Sequence, residues 1–586
     1  MNTITTPVLV AGAGPSGLAT SLLLSRYGIP HVIVEKYEGT AHTPRAHIIN
    51  QRTVEIMRDL GLEEKLLEVA TPWELMRNNT WTTGLTGVEL ARLQTWGTSP
   101  DRHADYVKAS PCPMANCGQH LLEPIMLEAV RERGVADVQL GCEVQSLAQD
   151  ADGVTVRCVR RASGEQFDVR AQYVVGADGG RSVVAREIGL EYDGEEGLNH
   201  AATVHFRADL SAFTSHRPGC LYWNASPGTD YWVGAGTLIC HRPWYEWALV
   251  FMYDPETVDL EDADAALARV RQIVGDPAVE IEILNFSTWT INHVVAKGYS
   301  VGRVFCMGDS VHRHPPANGL GLNISIADAY NLAWKLKLVL ADSASQALLE
   351  TYSVERQPVG RQVVDRALQS VLDMADIPAA LGFEPGQSAE DGWKALEGLY
   401  APGPEGERRR RELAAAVEKT NYQFNAHGVE LGYRYREGAR VSDGTEEPRP
   451  DRDPELYYQP TSWPGAHLPH AWLHDGRRQL STYDLSAGGF ALLTGIGGEA
   501  WDEAGRRATE ATSVELPVFH IGTRDGLVDC YGDWRALRGV EESGCVLVRP
   551  DRHVAWRAQS ADPALLEQLP AVLAQLLGTR TPAAAT

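Results

Sequence analysis

Residues able to build a redox site gather in two glycine-rich turns and one histidine-bearing loop. In the first turn, Gly12-Ala13-Gly14-Pro15-Ser16-Gly17 lies between an apolar run, Pro7 to Ala11, and a helical pattern, Leu18 to Arg26; a second apolar run, His31 to Val34, closes on Glu35. Glycine first permits a tight turn, glycine second lets backbone approach a pyrophosphate, glycine third lets the helix pack on the strand, and an acid about 20 residues on meets ribose hydroxyls. This is the pattern of an adenine dinucleotide site, and a flavin or a nicotinamide nucleotide would use it equally. In the second turn, Val304 to Met307 ends in Gly308-Asp309, and Pro315-Pro316, Gly319 and Gly321 precede a long helical pattern. Glycines bring backbone close to a flat ligand, prolines fix the approach, and the helix start aims N–H groups and positive dipole at it. An anionic reduced flavin suits such a loop, with Asp309 accepting hydrogen bonds from a ribityl chain. The competing reading is an ordinary strand-loop-helix crossover.

The loop from His42 to Arg52 is polar and leads into an amphipathic helix, Thr53 to Leu60. Arg45 could pair with a phosphate or cover a flavin edge, or be a surface arginine. His47 could take a proton near neutrality, or be a hydrogen-bonded loop histidine. Gln119 opens a helix, Leu121 to Glu132, whose first turn could face a cofactor. Asp178-Gly179, at the end of the strand Arg170 to Gly176, could set a carboxylate over a ribityl or pyrophosphate group, or simply form a turn.

The elements that must position these residues sit in a chain of 586 residues, long enough for two to four units. Hydrophobic residues make up 44% and charged residues 22%, ordinary for a globular protein, and the net charge of -24 argues against nucleic acid and anionic membranes as partners. The nine cysteines show no metal-ligand spacing, so reduced thiols in the cytoplasm and no metal are expected. Residues 72–115, poor in helical periodicity, are expected to form strands and loops over a cleft. A strand pair is expected at Val138 to Val144 and Val154 to Val159. Between 186 and 295, Tyr222-Trp223, Tyr231-Trp232, Trp244, Trp247 and Trp289 stand on alternating patterns that predict an antiparallel sheet; any one ring could be core or substrate floor.

Taken in register, the first glycine motif with Glu35, Asp178-Gly179 and Gly308-Asp309 resemble the single-component FAD-dependent aromatic hydroxylases with the p-hydroxybenzoate hydroxylase fold. The wording TPRAHIINQRTVEIMRDLGL, ADYVKASPCPM, GADGGRS and HRHPPANGLG resembles the phenol hydroxylase branch that includes 2,4-dichlorophenol 6-monooxygenase and natural-product tailoring members such as the piericidin pyridinol hydroxylase. The resemblance implies that Gly12, Gly14, Ser16 and Gly17 hold the pyrophosphate, Glu35 with Lys36 the adenosine ribose, Arg45 and Gln119 the flavin side, and Val144 the adenine. It implies ribityl at Asp309, the flavin pyrimidine at the backbone of Gly321, Leu322 and Asn323, and a shared FAD and NADPH role for Asp178. NADPH would dock transiently, since no second dinucleotide fingerprint follows. Oxygen would pass from a flavin C4a-hydroperoxide to a phenol or pyridinol ring, with Pro315 and Pro316 walling the site against water. His47 stands where other phenol hydroxylases carry an acid, as the group that deprotonates or orients the substrate. Trp289, Tyr222 and Trp223 would floor the ring.

The expected architecture is α/β: a Rossmann-like FAD-binding domain interleaved with an antiparallel-sheet substrate domain, plus a C-terminal thioredoxin-like domain. FAD-binding parts are expected at 1–71, 116–185 and 296–375, substrate parts at 72–115 and 186–295, helices and linker at 376–464, and the last domain at 465–586. The last domain lacks Cys-x-x-Cys, so an assembly role and a homo-oligomer are expected rather than redox activity. The run Arg408 to Arg411 beside Glu405, Glu407 and Glu412 reads as a solvated helix face, and 443–464 as a draped loop. Competing functions are a catabolic chlorophenol hydroxylase, a flavin oxidase or halogenase, and a flavin-binding scaffold without turnover.

Overall fold

Apolar β-branched runs without alternation make strands buried on both faces, and the N-terminal part of the chain uses them for a parallel sheet. Val304–Cys306, Gln166–Gly176, Asn2–Ala11, His31–Glu35 and Ala136–Leu140 lie side by side in that order, all parallel. Their C-terminal ends carry the turns singled out above, where ligands of open α/β sheets bind. The computed structural model describes residues 2–228, 236–256 and 263–579; Tyr231-Trp232 fall outside them.

One expected strand divides in two. Gly141, at φ +66°, ends Ala136–Leu140 on the parallel sheet, and only Cys142–Gln149 pairs with Val154–Arg160 in an antiparallel ribbon. A second eight-stranded sheet runs His312–Arg313, Glu282–Ala296, Tyr192–Arg207, Glu246–Met252, Gly236–Arg242, Leu221–Asn224, Asn78–Thr82 and Glu89–Gln94. The segment 72–115 thus supplies the last two strands of this sheet, with Glu89–Gln94 on its edge. It also holds a helix that the expected strands and loops did not include, Pro100–Ala109, started by a proline in its first turn and anchored by the buried Tyr106.

Near the C-terminus, Val518–His520, Ala491–Thr494, Cys545–Val548 and Val554–Ala558 form a four-stranded sheet, parallel between the first two and antiparallel thereafter. This unit shares one apolar core with the parallel sheet: Trp334 of the helix Gly321–Leu340 meets Phe490 edge-on at 5.7 Å. Buried charge completes the junction. Arg549 reaches Glu355 at 2.7 Å and Asp551 at 2.6 Å, Lys335 reaches Glu355 at 2.8 Å, and Arg52 donates to the Asp551 carbonyl at 2.7 Å. Burial acts to raise the Glu355 carboxyl, but Arg549 and Lys335 outweigh it and hold it down at about 2. Because the arginine neutralises two buried carboxylates, Arg549→Met is expected to cost about 3 kcal/mol in a denaturant titration. Arg408→Met, which removes only the exposed pairs to Glu405 and Glu412, leaves the midpoint where it was.

That contrast divides the arginine run. Arg408 lies on the solvated face, whereas Arg409 donates to the Ala395 and Leu381 carbonyls and Arg410 to Leu399 and Ala401, closing helix ends nearby. The draped 443–464 segment has no regular structure and is held by ion pairs, Asp443 to Arg557 and Glu447 to Arg434 and Arg436.

Candidate active site

The first turn divides its three glycines by function. Gly12 has φ +106°, and a Cβ there would fall 2.2 Å from the Ala177 carbonyl oxygen. A Cβ on Gly17 would fall 1.9 Å from the Gly12 carbonyl oxygen, so both glycines serve packing. Gly14, which begins the helix Pro15–Arg26, would place a Cβ within 4 Å of nothing, leaving helix N–H groups open to an anion. Glu35 ends its strand beside the turn, accepting from Ala13 N–H at 2.7 Å and Tyr37 N–H at 3.0 Å; Lys36 follows it, half-buried. Val144 is buried on the neighbouring ribbon.

The Asp178 carboxylate is engaged by the turn that follows it. Its carboxylate accepts from Ser182 Oγ at 2.5 Å and from the N–H groups of Val183 and Val184 at 2.8 and 3.1 Å, capping the helix Val183–Glu187. Its oxygens are drawn into holding the turn against which Gly12 packs.

Gly308, at φ +63°, brings the two ligand-facing helices together: a Cβ there would meet Ser325 Oγ at 3.0 Å and Ser16 Oγ at 3.1 Å. Asp309, next in sequence, is exposed, and its carboxylate has no partner among the described residues. An unpaired carboxylate between two helix N-termini fits a polyol strung from pyrophosphate to ring. At the far end stand Gly321 and Leu322 in the first turn of the helix Gly321–Leu340, with Pro315 buried and Pro316 exposed ahead of it. These features fit FAD: Gly14 and Ser16 would hold its pyrophosphate, Asp309 its ribityl chain, and the N-terminus at Gly321 its ring.

Asn323 works through its side chain. Its Oδ1 accepts from Asn50 N–H at 3.0 Å and Thr53 Oγ1 at 2.7 Å, and its Nδ2 donates to the Ile48 carbonyl at 2.9 Å. The helix start thereby clasps the 48–53 segment. On the other side, Cys117 N–H donates to the His47 carbonyl at 2.7 Å and Gln119 N–H to the Ala46 carbonyl at 2.8 Å. Arg45, exposed, His47 and Gln119 are thus brought to one edge, although nearly seventy residues separate His47 from Asn116.

Asn116 fixes the His47 tautomer. Its Nδ2 donates to the Cys240 carbonyl at 2.7 Å, so Oδ1 must face the imidazole, and His47 Nδ1–H donates to it at 2.8 Å. Nε2 is left as a lone pair with no partner among the described residues. Burial pushes the imidazole down to about 4 against the opposing hydrogen bond that it donates to Asn116, so it is neutral at pH 7. A second neutral imidazole was missed in the sequence: His314 donates Nδ1–H to the Pro315 carbonyl at 2.6 Å and lies over Gly321, also pushed by burial to about 4.

The aromatic residues part by register. Tyr222 faces Leu238 and Trp247 on the core side of the sheet, 1% exposed, with its hydroxyl on the Arg217 carbonyl at 3.0 Å. It is therefore removed from the substrate set: neighbouring strand residues point to opposite faces, so Tyr222 and Trp223 cannot both line one cavity. Trp223 shares the other face with Trp81, 6.2 Å from Phe424. Trp289 shares that face with Thr203, to which its Nε1–H donates at 3.0 Å, and with His205 two residues on.

Beyond His47 lies a histidine cluster that no spacing announced. Ring centroids step 5.7 Å from His47 to His241, 5.4 Å from His241 to His120 and 5.2 Å from His120 to His205. Glu246 Oε1 accepts from His120 Nε2 at 2.7 Å and His205 Nε2 at 3.0 Å. Burial works to raise the Glu246 carboxyl, but these two hydrogen bonds hold it well below the usual range. The trio has zinc-ligand types within 4.8 Å of one another. A metal there would require each Nδ1 to donate outward, and neither has a partner among the described residues.

Residues 5–367 match the family of the FAD binding domain, and residues 461–580 that of the aromatic-ring hydroxylase C-terminal region. The chain belongs to the FAD-dependent aromatic-ring hydroxylases. It is 45% identical to 2,4-dichlorophenol 6-monooxygenase of Delftia acidovorans over 578 residues, 98% of each chain. It is 31% identical to tetracenomycin A2 monooxygenase-dioxygenase of Streptomyces glaucescens, covering 99% of both. The crystal structure of the flavin-dependent monooxygenase PieE in complex with FAD and substrate superposes with a TM-score of 0.96 at 50% identity, over 99% of this chain and 100% of that one. This hydroxylase is therefore a monooxygenase with FAD as cofactor, and NADPH is the family's usual reductant. Among its described residues no helix is long and apolar enough to cross a membrane.

Proposed function

We propose that this hydroxylase adds one oxygen to an electron-rich hydroxyaromatic ring, a phenol or pyridinol, in the assembly of a natural product. The observation that carries the reading is His47: a neutral imidazole with a bare Nε2, one residue from Ile48, whose side chain lies against Gly319 of the flavin loop. FAD, reduced by NADPH, supplies oxygen activation when bound. The protein's own residues do the rest. His47 Nε2 takes the ring hydroxyl proton, leaving the oxyanion that activates the ring toward an electrophilic oxygen. Buried Pro315 keeps water from the reacting atoms. Trp223 and Trp289 floor the ring, Arg45 and Gln119 meet the flavin edge, and Glu35 with Lys36 and Val144 hold the adenosine end.

Similarity to the tetracenomycin enzyme across the whole chain favours the biosynthetic setting, and 45% identity to the dichlorophenol enzyme supports a catabolic one as the second reading. Work in the cytoplasm as a homo-oligomer, without nucleic acid or membrane partners, completes the proposal and accords with the net charge of -24. The deciding experiment follows NADPH consumption by the FAD-loaded protein with oxygen across phenols, chlorophenols and alkylated pyridinols, with products weighed by mass spectrometry. A gain of one oxygen on one ring class establishes it; hydrogen peroxide as the product with every ring would replace it with an oxidase.

A further inference from the structure

The loop that leads into the helix Gly321–Leu340 turns left-handed twice in succession, at Asn318 with φ +66° and at Gly319 with φ +63°. Glycine takes such angles freely, whereas a side chain is strained there, asparagine less than most. The Asn318 side chain carries a second cost. It is 3% exposed, and its Oδ1 is buried with no donor among the described residues. Glycine at 318 would relieve both, so local stability does not call for asparagine. What the side chain does make is a hydrogen bond from Nδ2–H to the Tyr422 carbonyl, at 2.6 Å across 104 residues.

Tyr422 belongs to a single helical turn, Asn421–Phe424, that is locked at several points. Its hydroxyl donates to Asp453 at 2.7 Å. The next residue after the turn, Asn425, donates to the Gln94 carbonyl and accepts from Gly97 N–H, each at 3.0 Å, and the Phe424 carbonyl accepts from Trp96 N–H at 2.9 Å. Phe424 itself is buried, with its ring 6.2 Å from Trp223 and 6.4 Å from Trp81. The turn therefore meets the flavin loop through the Tyr422 carbonyl and the aromatic floor through the Phe424 ring. Asn318 stands between exposed Pro316 and Gly319, where a Cβ would fall 2.9 Å from Ile48 Cβ.

We propose that Asn318 is a positioning residue: its tie to the 421–424 turn fixes the flavin loop against the floor that carries the substrate ring, and so decides whether oxygen reaches the ring or is lost as hydrogen peroxide. The inference rests on the reading of Trp223 as part of that floor. When transfer succeeds, NADPH, a proton, O2 and the ring give NADP+, water and the hydroxylated ring. When it fails, NADPH, a proton and O2 give NADP+ and hydrogen peroxide. Each route consumes one NADPH and one O2, so the tie changes the products rather than the demand for reductant. The ratio is sensitive to the span between loop and floor, because reacting atoms held out of place by an ångström react far more slowly.

The test gives FAD-loaded protein NADPH, oxygen and a ring that the wild type hydroxylates, and measures product and hydrogen peroxide together. In Asn318→Gly, which keeps the backbone angle and loses the tie, the ratio of peroxide to product should rise at least about tenfold. The thermal midpoint and FAD affinity should stay at their wild-type values. Phe424→Leu, which loosens the other end, should raise the ratio too, and the double variant should be no worse than the poorer single one, as for two cuts in one connection. An unchanged ratio in Asn318→Gly overturns the proposal, while product from the wild type keeps the hydroxylation reading standing. A lowered thermal midpoint or FAD affinity in that variant, or effects of the two substitutions that multiply, also overturns it and assigns Asn318 to the fold. A wild type that yields peroxide with every ring removes the hydroxylation reading, and the tie with it.

Discussion

His47→Gln lowers kcat/KM by about 100-fold or more for a phenol that is protonated at the assay pH, the lower range of what a positioned general base contributes. The loss shrinks toward nothing for a phenol whose electron-withdrawing groups leave it ionised at that pH, because there the base has no proton to take. FAD binding is unaffected, since the imidazole bonds to Asn116 and no element of the pyrophosphate turn depends on it. The wild-type pH profile carries the same signature. With the imidazole pushed down to about 4 by burial, the acid limb of kcat/KM falls near that pH rather than near the ordinary histidine value of about 6.5. The sign is fixed by the mechanism, since activity requires the neutral ring and is lost as pH drops through its pKa. An equal loss for ionised and protonated phenols would assign His47 to positioning alone.

Gly14→Ala and Gly17→Ala, three residues apart, fail for different reasons. A Cβ on Gly17 would lie 1.9 Å from a backbone oxygen, which cannot swing aside as a side chain can, so the apoprotein itself loses at least about 3 kcal/mol. A Cβ on Gly14 meets nothing within 4 Å, so the apoprotein keeps its thermal midpoint while the methyl obstructs the pyrophosphate and FAD affinity falls about 10- to 100-fold. Thermal unfolding with and without FAD, and flavin fluorescence titration, separate the two. Equal destabilisation of both apoproteins would refute this division of labour.

Much of this was legible in the chain because the informative features are local. A strand, a glycine turn, a helix and an acid at fixed offsets can be read within forty residues. Alternation predicted the antiparallel sheet, but it could not show which face of that sheet meets the core. Tyr222 and Trp223 looked equivalent as aromatics, and register separated them. Asp178 lay in a recognisable turn, yet its carboxylate is drawn to a helix N-terminus that only the folded chain places there.

By itself the sequence determined the cofactor turns, the α/β class and His47 as a candidate, since each depends on neighbours along the chain. Tertiary structure decided the tautomer and charge of His47, the clasp of Asn323 on the 48–53 segment, and the gathering of His120, His205, His241 and Glu246. The physical reason is that a proton's position depends on the donors, acceptors and burial around it. Glu246 finds His120 from 126 residues away, a distance across which no periodicity carries information.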